Sequence, residues 1–190
     1  MQAQDLFDTI RRAHPTPAAA EDMAHRLRSG LMAWHQDPRH AGQPLASLRN
    51  ASHDTLATVA VRRHSTAAIA VLAQVLPASE RPLLFNACDG NGRTPAGQAA
   101  HWGQVDLLSA LQAAGARLDL PDASGSTPLQ HAAARGHRSA TDYLIAVGAW
   151  SAASAMAGAQ AARQRGFHHL ADRLQAAAER QPLHEDARCA

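Results

Sequence analysis

Histidine is the side chain in this 190-residue sequence that most readily suggests chemistry, since imidazole ligates metals and transfers protons near neutral pH. The chain has 12 histidines, and no His-x3-His pair sits on a helix face. His168 and His169 are adjacent and so diverge. His35 and His40, on either side of Asp37, are the best candidates in a poor field. We expect surface histidines, without a metal or a cofactor.

Catalytic motifs are equally weak. Cys88 would need a histidine and a carboxylate to meet it in space, and we expect an ordinary thiol. Gly90-Asn91-Gly92 only superficially resembles a phosphate-binding loop, because these residues are also typical of a tight turn. The sequence has no G-x-S-x-G or H-E-x-x-H motif. We therefore expect no catalytic residue and no enzyme.

Charge gives no general attraction to nucleic acid or membrane. All 18 basic residues are Arg, and with 16 acidic residues the formal net charge is +2. The arginines are not clustered into a run, so we interpret the use of Arg in place of Lys as a result of genomic composition, as in a GC-rich bacterium. Partner choice must then depend on a local patch of surface.

Compartment and membrane signals point to a soluble protein in the cytoplasm. Cys88 and Cys189 are too few and too distant for a disulfide framework, which favours a reducing compartment. The first 15 residues carry charges and lack the apolar core of a secretory signal. No stretch approaches the roughly 20 apolar residues of a membrane span.

A 33-residue repeat organises the middle of the chain. Nine residues recur at this offset: Asp89, Gly92, Thr94, Pro95, Ala99, Ala100, Gly103, Gly115 and Ala116 return as Asp122, Gly125, Thr127, Pro128, Ala132, Ala133, Gly136, Gly148 and Ala149. Such a period indicates stacked units that share one core. The low aromatic content also favours helices with small contact residues over a β-sheet core.

The recurring residue types predict two helices in each unit. Thr94 and Thr127 are expected N-caps, each followed by a proline at the first helical position. Gly103 and Gly136 supply the left-handed conformation that ends a short helix. The alanine pairs are small enough for neighbouring helices to approach closely. A second helix follows each glycine, and its core face is predicted to comprise Leu107, Leu108 and Leu111 in one unit and Tyr143, Leu144 and Val147 in the next.

This pattern resembles the ankyrin repeat, D-x-x-G-x-T-P-L-H-x-A-A-x-x-G-H followed by an aliphatic helix and Gly-Ala. The resemblance implies an all-α solenoid of stacked helix pairs with short β-hairpin loops. Two copies match closely, from Asp89 to Ala116 and from Asp122 to Ala149. The histidine of the pattern is replaced by Gly97 and Gln130, which puts the usual Thr–His hydrogen-bond ladder in doubt.

Flanking segments predict the domain limits. Residues 55–76 and 156–178 read as degenerate repeats, with Thr55 as a cap and His64 at a glycine position. Thr16-Pro17 opens a helix whose apolar stripe comprises Met23, Leu27, Leu31 and Trp34, and we expect it to cap the first repeat, with a separate partner-binding helix as the alternative. We assign residues 1–50 to a helical cap, 51–180 to the repeats and 181–190 to a flexible tail.

The resemblance also implies where a partner would bind. In ankyrin proteins the partner usually contacts the hairpin tips and the exposed ends of the inner helices. These positions are Gly90, Asn91, Arg93, His101 and Trp102 in the first clear repeat, and Ala123, Ser124, Ser126, Ala134 and Arg135 in the second.

Stacking the units predicts one further feature on the concave side. The residue just before each turn position is Arg63, Trp102, Arg135 and Arg165 in successive units. Arg and Trp are enriched among interface hot spots, and guanidinium groups pair with carboxylates. Arg is the only basic residue in this sequence, and exposed helix ends are often charged, so the three arginines are equally consistent with an ordinary surface. A solvent-facing Trp102 is harder to explain in that way, because large exposed aromatic residues are unusual without a role. Trp150 either extends this surface or seals the junction to the last repeat.

The leading hypothesis is therefore a protein–protein interaction module, a bacterial adaptor, regulator or effector that binds a protein with an acidic surface. We expect a monomer, cytoplasmic unless delivered as an effector, that does not bind membranes. The alternatives are an effector or toxin-like enzyme that uses the repeats as scaffold, and nucleic-acid binding through the arginines, which would weaken steeply with salt.

Overall fold

The computed structural model describes residues 2–12, 17–40 and 43–180. Over these residues the chain forms eleven α-helices and two short 3₁₀ segments, Pro38–His40 and Leu45–Ser47. The α-helices, in chain order, are α1 (Ala3–Arg11), α2 (Pro17–Gln36), α3 (Leu56–Arg62), α4 (Thr66–Val75), α5 (Arg81–Phe85), α6 (Pro95–His101), α7 (Val105–Ala113), α8 (Pro128–Ala134), α9 (Arg138–Ala146), α10 (Ala152–Gln164) and α11 (His168–Arg180). The predicted tail, 181–190, lies outside the described residues.

The inner helices α3, α6, α8 and α10 each begin at a hydroxyl cap. The Oγ1 atoms of Thr94 and Thr127 accept hydrogen bonds from the backbone N–H groups of Gly97 and Gln130, so the predicted caps are confirmed. Thr55 caps α3 in the same way. Ser151, which the sequence pattern did not identify, caps α10. The same device therefore sets the start of four successive inner helices.

The same four inner helices, α3, α6, α8 and α10, are each followed by a residue with positive φ. Gly103 (φ 68°), Gly136 (φ 73°) and Gly166 (φ 85°) follow α6, α8 and α10, and His64 (φ 52°) follows α3. A left-handed residue turns the chain back toward the outer helix. The prediction that His64 occupies a glycine position is confirmed.

Two layers of helices share the core. The inner helices pack in the order α1, α3, α6, α8 and α10, and α2, α4, α7 and α9 pack in order as the outer layer. The alanine pairs of α6 and α8 are completely buried, so small side chains do allow close approach. Leu107, Leu108, Leu111 and Leu144 are buried as predicted, whereas Tyr143 and Val147 are only half-buried.

The N-terminal segment forms a helix pair that continues the stack. Met23, Leu27, Leu31 and Trp34 are buried on α2, which packs against α4, so the predicted apolar stripe is confirmed. Thr16 lies outside the described residues. Helix α1 is a feature that the sequence analysis missed: its buried residues are Leu6, Phe7 and Ile10, and the helix packs against both α2 and α3.

The predicted hairpin loops are tight turns, and within the described ranges no residue is assigned to a strand. One oxygen of Asp89 accepts from the backbone N–H groups of Asn91 and Arg93, both at 2.9 Å. Asp122 repeats this arrangement in the next unit. Backbone hydrogen bonds close the same turns, because the N–H groups of Asp89 and Asp122 donate to the carbonyl oxygens of Arg93 and Ser126, both at 2.9 Å.

A third turn of the same geometry precedes α3. The Oδ1 atom of Asn50 accepts from the N–H groups of Ser52 and Asp54, both at 2.9 Å. Asn50 lies 39 residues before Asp89, six more than the repeat length, because α5 occupies an insertion between α4 and the next turn. The first, degenerate repeat thus begins with the same turn as its neighbours.

In the part of the chain that the structure describes, no helix is both long enough and apolar enough to cross a bilayer.

Candidate partner-binding surface

Four residues occupy the same position at the ends of successive inner helices. Arg63, Trp102, Arg135 and Arg165 are the C-cap residues of α3, α6, α8 and α10, and each directly precedes the residue with positive φ. All four are exposed. Because stacked helices lie about 8–10 Å apart, side chains at this common position form a line across the repeats. We call these four residues the inner row.

Trp102 is the aromatic residue of the inner row. It leaves 36% of its surface exposed, a large fraction for an indole. Its ring contacts His64 of the preceding repeat, with ring centroids 5.5 Å apart, and His101 at 6.5 Å. The indole is therefore supported from one side by histidines and is available to a partner from the other.

His101, one residue before Trp102, lies at the centre of the surface. Its ring meets the ring of His131 edge-on at 6.0 Å. Nε2 of His137 lies 3.0 Å from the carbonyl oxygen of His101, which fixes the end of α6 against the start of α9. Burial lowers the pKa of His101 to about 4, assisted by the positive charges of Arg135 and Arg93. The imidazole is therefore neutral at pH 7.

The hairpin residues of the predicted set divide into two groups. Gly90, Ser124 and Ser126 have roles within the fold: a Cβ atom at Gly90 would collide with the backbone oxygen of Ser52, and the hydroxyl of Ser124 contacts Asp122 at 2.6 Å and Ser126 at 3.1 Å. The side chains of Asn91 and Arg93 make no hydrogen bond to any residue that the structure describes. Asn91 and Arg93 are thus the hairpin side chains best able to contact a partner.

A hydrogen bond from helix to hairpin was missed in the sequence analysis. Gln98 donates from Nε2 to Asp89, and Nε2 of His131 lies 2.8 Å from Oδ2 of Asp122. These residues stand one position after the missing histidine of the pattern. Burial raises the pKa of Asp122, but hydrogen bonds from Ser124 and His131 outweigh it, and the net pKa is lowered. The pair holds each hairpin against its own inner helix.

The metal and catalytic candidates have other structural roles. The ring of His40 stacks on Trp34 with centroids 3.4 Å apart, and Asp37 forms an ion pair with Arg39 that lowers the pKa of the carboxyl. No cluster of three potential metal ligands occurs in the part of the chain that the structure describes. Burial, with the charges of neighbouring carboxylates, raises the pKa of Cys88, which is unfavourable for a nucleophilic thiolate.

Trp150 packs against the core and seals a junction. It is half-buried, and its Nε1 donates to the carbonyl oxygen of Ile145 at 3.1 Å. Of the two alternatives, this geometry favours the structural role over an extension of the inner row.

Comparison with known proteins agrees with this architecture. The family model for ankyrin repeats matches three copies over residues 59–153, half of the chain. Cyclin-dependent kinase 4 inhibitor B from Bos taurus is 43% identical over 70 residues, which cover 34% of this chain and 53% of the relative. The protein of the same name from Homo sapiens is 48% identical over 50 residues, covering 26% and 36%. The match thus spans about half the length of the bovine relative. The chain belongs to the ankyrin-repeat family.

Proposed function

We propose that this chain is a protein-binding module that captures an acidic segment of a partner protein on the inner row and the adjoining hairpins. The observation that carries the proposal is the equivalent placement of Arg63, Trp102, Arg135 and Arg165 at exposed ends of four stacked helices. Such a line presents several cations and one indole to an extended segment.

The chemistry of the row suits carboxylates. A guanidinium forms paired hydrogen bonds to a carboxylate, and an exposed indole provides apolar area at low entropic cost. Ion pairs at an exposed rim contribute little individually, so the indole should contribute more to the affinity than any one arginine.

The comparisons support a protein partner. The relatives are named for inhibition of a cyclin-dependent kinase, so they act on another protein, and the matched segment is the repeat region. We include in the proposal that the chain works in the cytoplasm as a monomer, as a bacterial adaptor, regulator or effector. The use of Arg to the exclusion of Lys supports the bacterial origin.

The test is a comparative pull-down with mass spectrometry. Tagged wild type and Arg135→Glu are exposed to the same lysate, and only proteins that the variant loses are counted as specific. Arg117→Glu is the matched control, because Arg117 is exposed, lies in the loop after α7 and pairs with Asp119.

Competition then identifies the chemistry. We expect the specific partners to contain acidic segments and to be displaced by polyglutamate more readily than by polylysine, with modest salt dependence. Steep log-linear loss with salt, and displacement by any oligonucleotide, would instead indicate nucleic-acid binding. Equal capture by wild type and Arg135→Glu would contradict the proposal.

A further inference from the structure

Two of the glycines that follow inner helices are covered by a ring of the next repeat. A Cβ atom placed on Gly103 would lie 2.7 Å from the ring of His137, and one placed on Gly136 would lie 2.6 Å from the ring of Phe167. The ring of His137 is also fixed by Nε2, which lies 3.0 Å from the carbonyl oxygen of His101. Each of these two glycines therefore provides backbone surface on which a ring of the next unit lies.

Gly166 follows α10 in the same left-handed conformation but carries no such ring. Its φ angle is 85°, and no atom of the described residues lies within 4 Å of a Cβ placed there. Gly103 and Gly136 have φ angles of 68° and 73°, so the backbone has a similar conformation at all three positions. A ring from another molecule can therefore lie on Gly166 as the ring of His137 lies on Gly103.

An apolar groove opens beside Gly166. It has a volume of about 590 Å³ and is lined by the turns after α8 and α10 and by the first part of α11. Phe167 lines the groove and leaves 38% of its surface exposed, although its ring packs on Gly136. Leu170, which also lines the groove, is buried. A ring that enters the groove would thus gain apolar contact with Phe167 and Leu170.

The rim of this groove is positively charged. Arg138 and Arg173 line it, and both pair with the one carboxylate of Asp142, at 3.7 Å and 2.6 Å. None of the described residues that line the groove is acidic. The first turn of α11 also has no acidic residue, and the start of a helix favours a nearby carboxylate. These charges favour an aromatic side chain with acidic neighbours.

We propose that this groove binds an aromatic side chain of the partner's acidic segment, with the ring on Gly166 beside Phe167 and the acidic neighbours near the two rim arginines. This inference rests on the proposed function, because it specifies the apolar residue that accompanies the acidic segment. Arg135 and Arg165 of the inner row directly precede the two glycines that line the groove. An extended segment whose carboxylates lie along the inner row therefore continues into the groove.

Two oligoglutamate peptides test the aromatic anchor. They have the same charge and differ only at one central position, which is phenylalanine in one peptide and alanine in the other. Their affinities are measured by isothermal titration calorimetry, and the ring resonances of Phe167 are followed by NMR. We expect the phenylalanine peptide to bind about tenfold more tightly, the scale for burying one aromatic side chain, and to shift these resonances more. Equal affinities would overturn the inference.

Gly166→Ala obstructs the proposed position of the ring. Its Cβ would lie where the partner's ring lies, and it would touch no other described residue of this chain. Gly148→Ala is the matched control, because Gly148 has a φ angle of 71° and equally open surroundings, so both variants carry the same left-handed strain. We expect only Gly166→Ala to remove the advantage of phenylalanine over alanine. An advantage that survives in Gly166→Ala, or is lost in both variants, would overturn the inference.

The rim arginines provide a second test that leaves the backbone unchanged. Arg173→Gln should weaken the binding of both peptides by about twofold to fivefold, the range for an exposed ion pair. Arg163→Gln is its control, because Arg163 is also exposed and pairs with an aspartate, Asp172, but does not line the groove. Binding to Arg173→Gln that equals binding to wild type would contradict the acidic character of the occupant.

Arg135→Glu separates this inference from the proposed function. If both peptides bind Arg135→Glu as tightly as wild type while phenylalanine keeps its advantage, the proposed function is contradicted and the groove is supported. If both bind Arg135→Glu more weakly but bind wild type with equal affinity, the proposed function is supported and the inference is overturned.

Two other occupants of the groove would be recognised without a peptide. A dimer in analytical ultracentrifugation that Gly166→Ala dissociates would show that a second copy of the chain fills the groove. A shift of the Phe167 resonances in Leu183→Ala would assign the groove to the chain's own C-terminal segment. Either result would overturn the inference, which predicts a monomer and unchanged resonances.

Discussion

Nε2 of His131 lies 2.8 Å from Oδ2 of Asp122, and this contact joins the second clear hairpin to its inner helix. The other oxygen of Asp122 accepts from the backbone of Ser124 and Ser126, so one carboxylate closes the turn and fixes it to α8. Gln98 and Asp89 form the same connection one repeat earlier. In these two repeats, the hairpin that is predicted to contact a partner is therefore fixed to the inner helix whose C-cap residue belongs to the inner row.

Asp122 should make stability depend on pH in the acid range. Its pKa is lowered below the ordinary value of 3.8 by hydrogen bonds that outweigh its burial, so its stabilising contribution is complete above 3.8 and is lost as the pH falls through the lowered pKa. In Asp122→Asn the turn should survive, because Asn50 closes the first turn with the same geometry. We expect a loss of about 1–2 kcal/mol at pH 7 and a smaller loss in strong acid, measured by urea unfolding at several pH values.

Gly136 and Gly148 provide a matched test of packing at positive φ. Their φ angles are 73° and 71°, but a Cβ at Gly136 would lie 2.6 Å from the ring of Phe167, whereas a Cβ at Gly148 would have no neighbour within 4 Å. Both alanine variants incur the left-handed penalty of about 1–2 kcal/mol. Only Gly136→Ala adds overpacking, so we expect it to lose a further 1 kcal/mol or so in denaturant unfolding. Equal losses would mean that Phe167 moves aside at no cost.

Gly103→Val should be more damaging than either alanine. The φ angle is 68°, and a Cβ would lie 2.7 Å from the ring of His137. A β-branched residue is a genuine outlier at positive φ. We expect a fall in melting temperature and loss of the contact between His137 and the end of α6. Unchanged melting would show that Gly103 does not hold this conformation in solution.

Much of the fold was predictable because it depends on local backbone chemistry. Thr94 followed by Pro95 specifies a helix start, and Gly103 specifies its end, whatever packs around them. Helix α1 carries a usable signal, since Leu6, Phe7 and Ile10 have helical spacing, but the charged residues between and around them make this apolar pattern short and weak. The turn at Asn50 was not predicted, because α5 lengthens this repeat beyond 33 residues and Asn stands in place of the Asp of the pattern.

The site was less accessible to sequence. The row of helix ends follows from the period, and its members are placed at equivalent positions. The hydrogen bonds of Gln98 and His131 to the hairpins join residues that are nine positions apart. The family pattern has its histidine one position earlier, at Gly97 and Gln130, so it does not point to these two residues. The edge-on contact between the rings of His101 and His131 joins two repeats and is visible only in three dimensions.

Scaffold and contact residues of the repeats should respond differently to substitution. Leu108 is completely buried on α7, so Leu108→Ala should cost about 2–5 kcal/mol of stability. The Leu108→Ala variant should bind the partner more weakly only to the extent that its folded fraction falls. Thermal unfolding and partner binding, measured on the same preparation, separate the two effects. Weaker binding at temperatures where Leu108→Ala is fully folded would place part of the interface on the outer helix.

The central claim is tested most directly by isothermal titration calorimetry with a partner identified by pull-down. The affinities of Trp102→Ala and Arg135→Glu for this partner are compared with that of Arg117→Glu. We expect each inner-row variant to lose about 2 kcal/mol or more of binding free energy, with nearly unchanged melting temperature, because both side chains are exposed and lie in the row. Arg117→Glu should bind as wild type does. If all three variants bind as wild type does, the inner row is not the interface, and the account is contradicted.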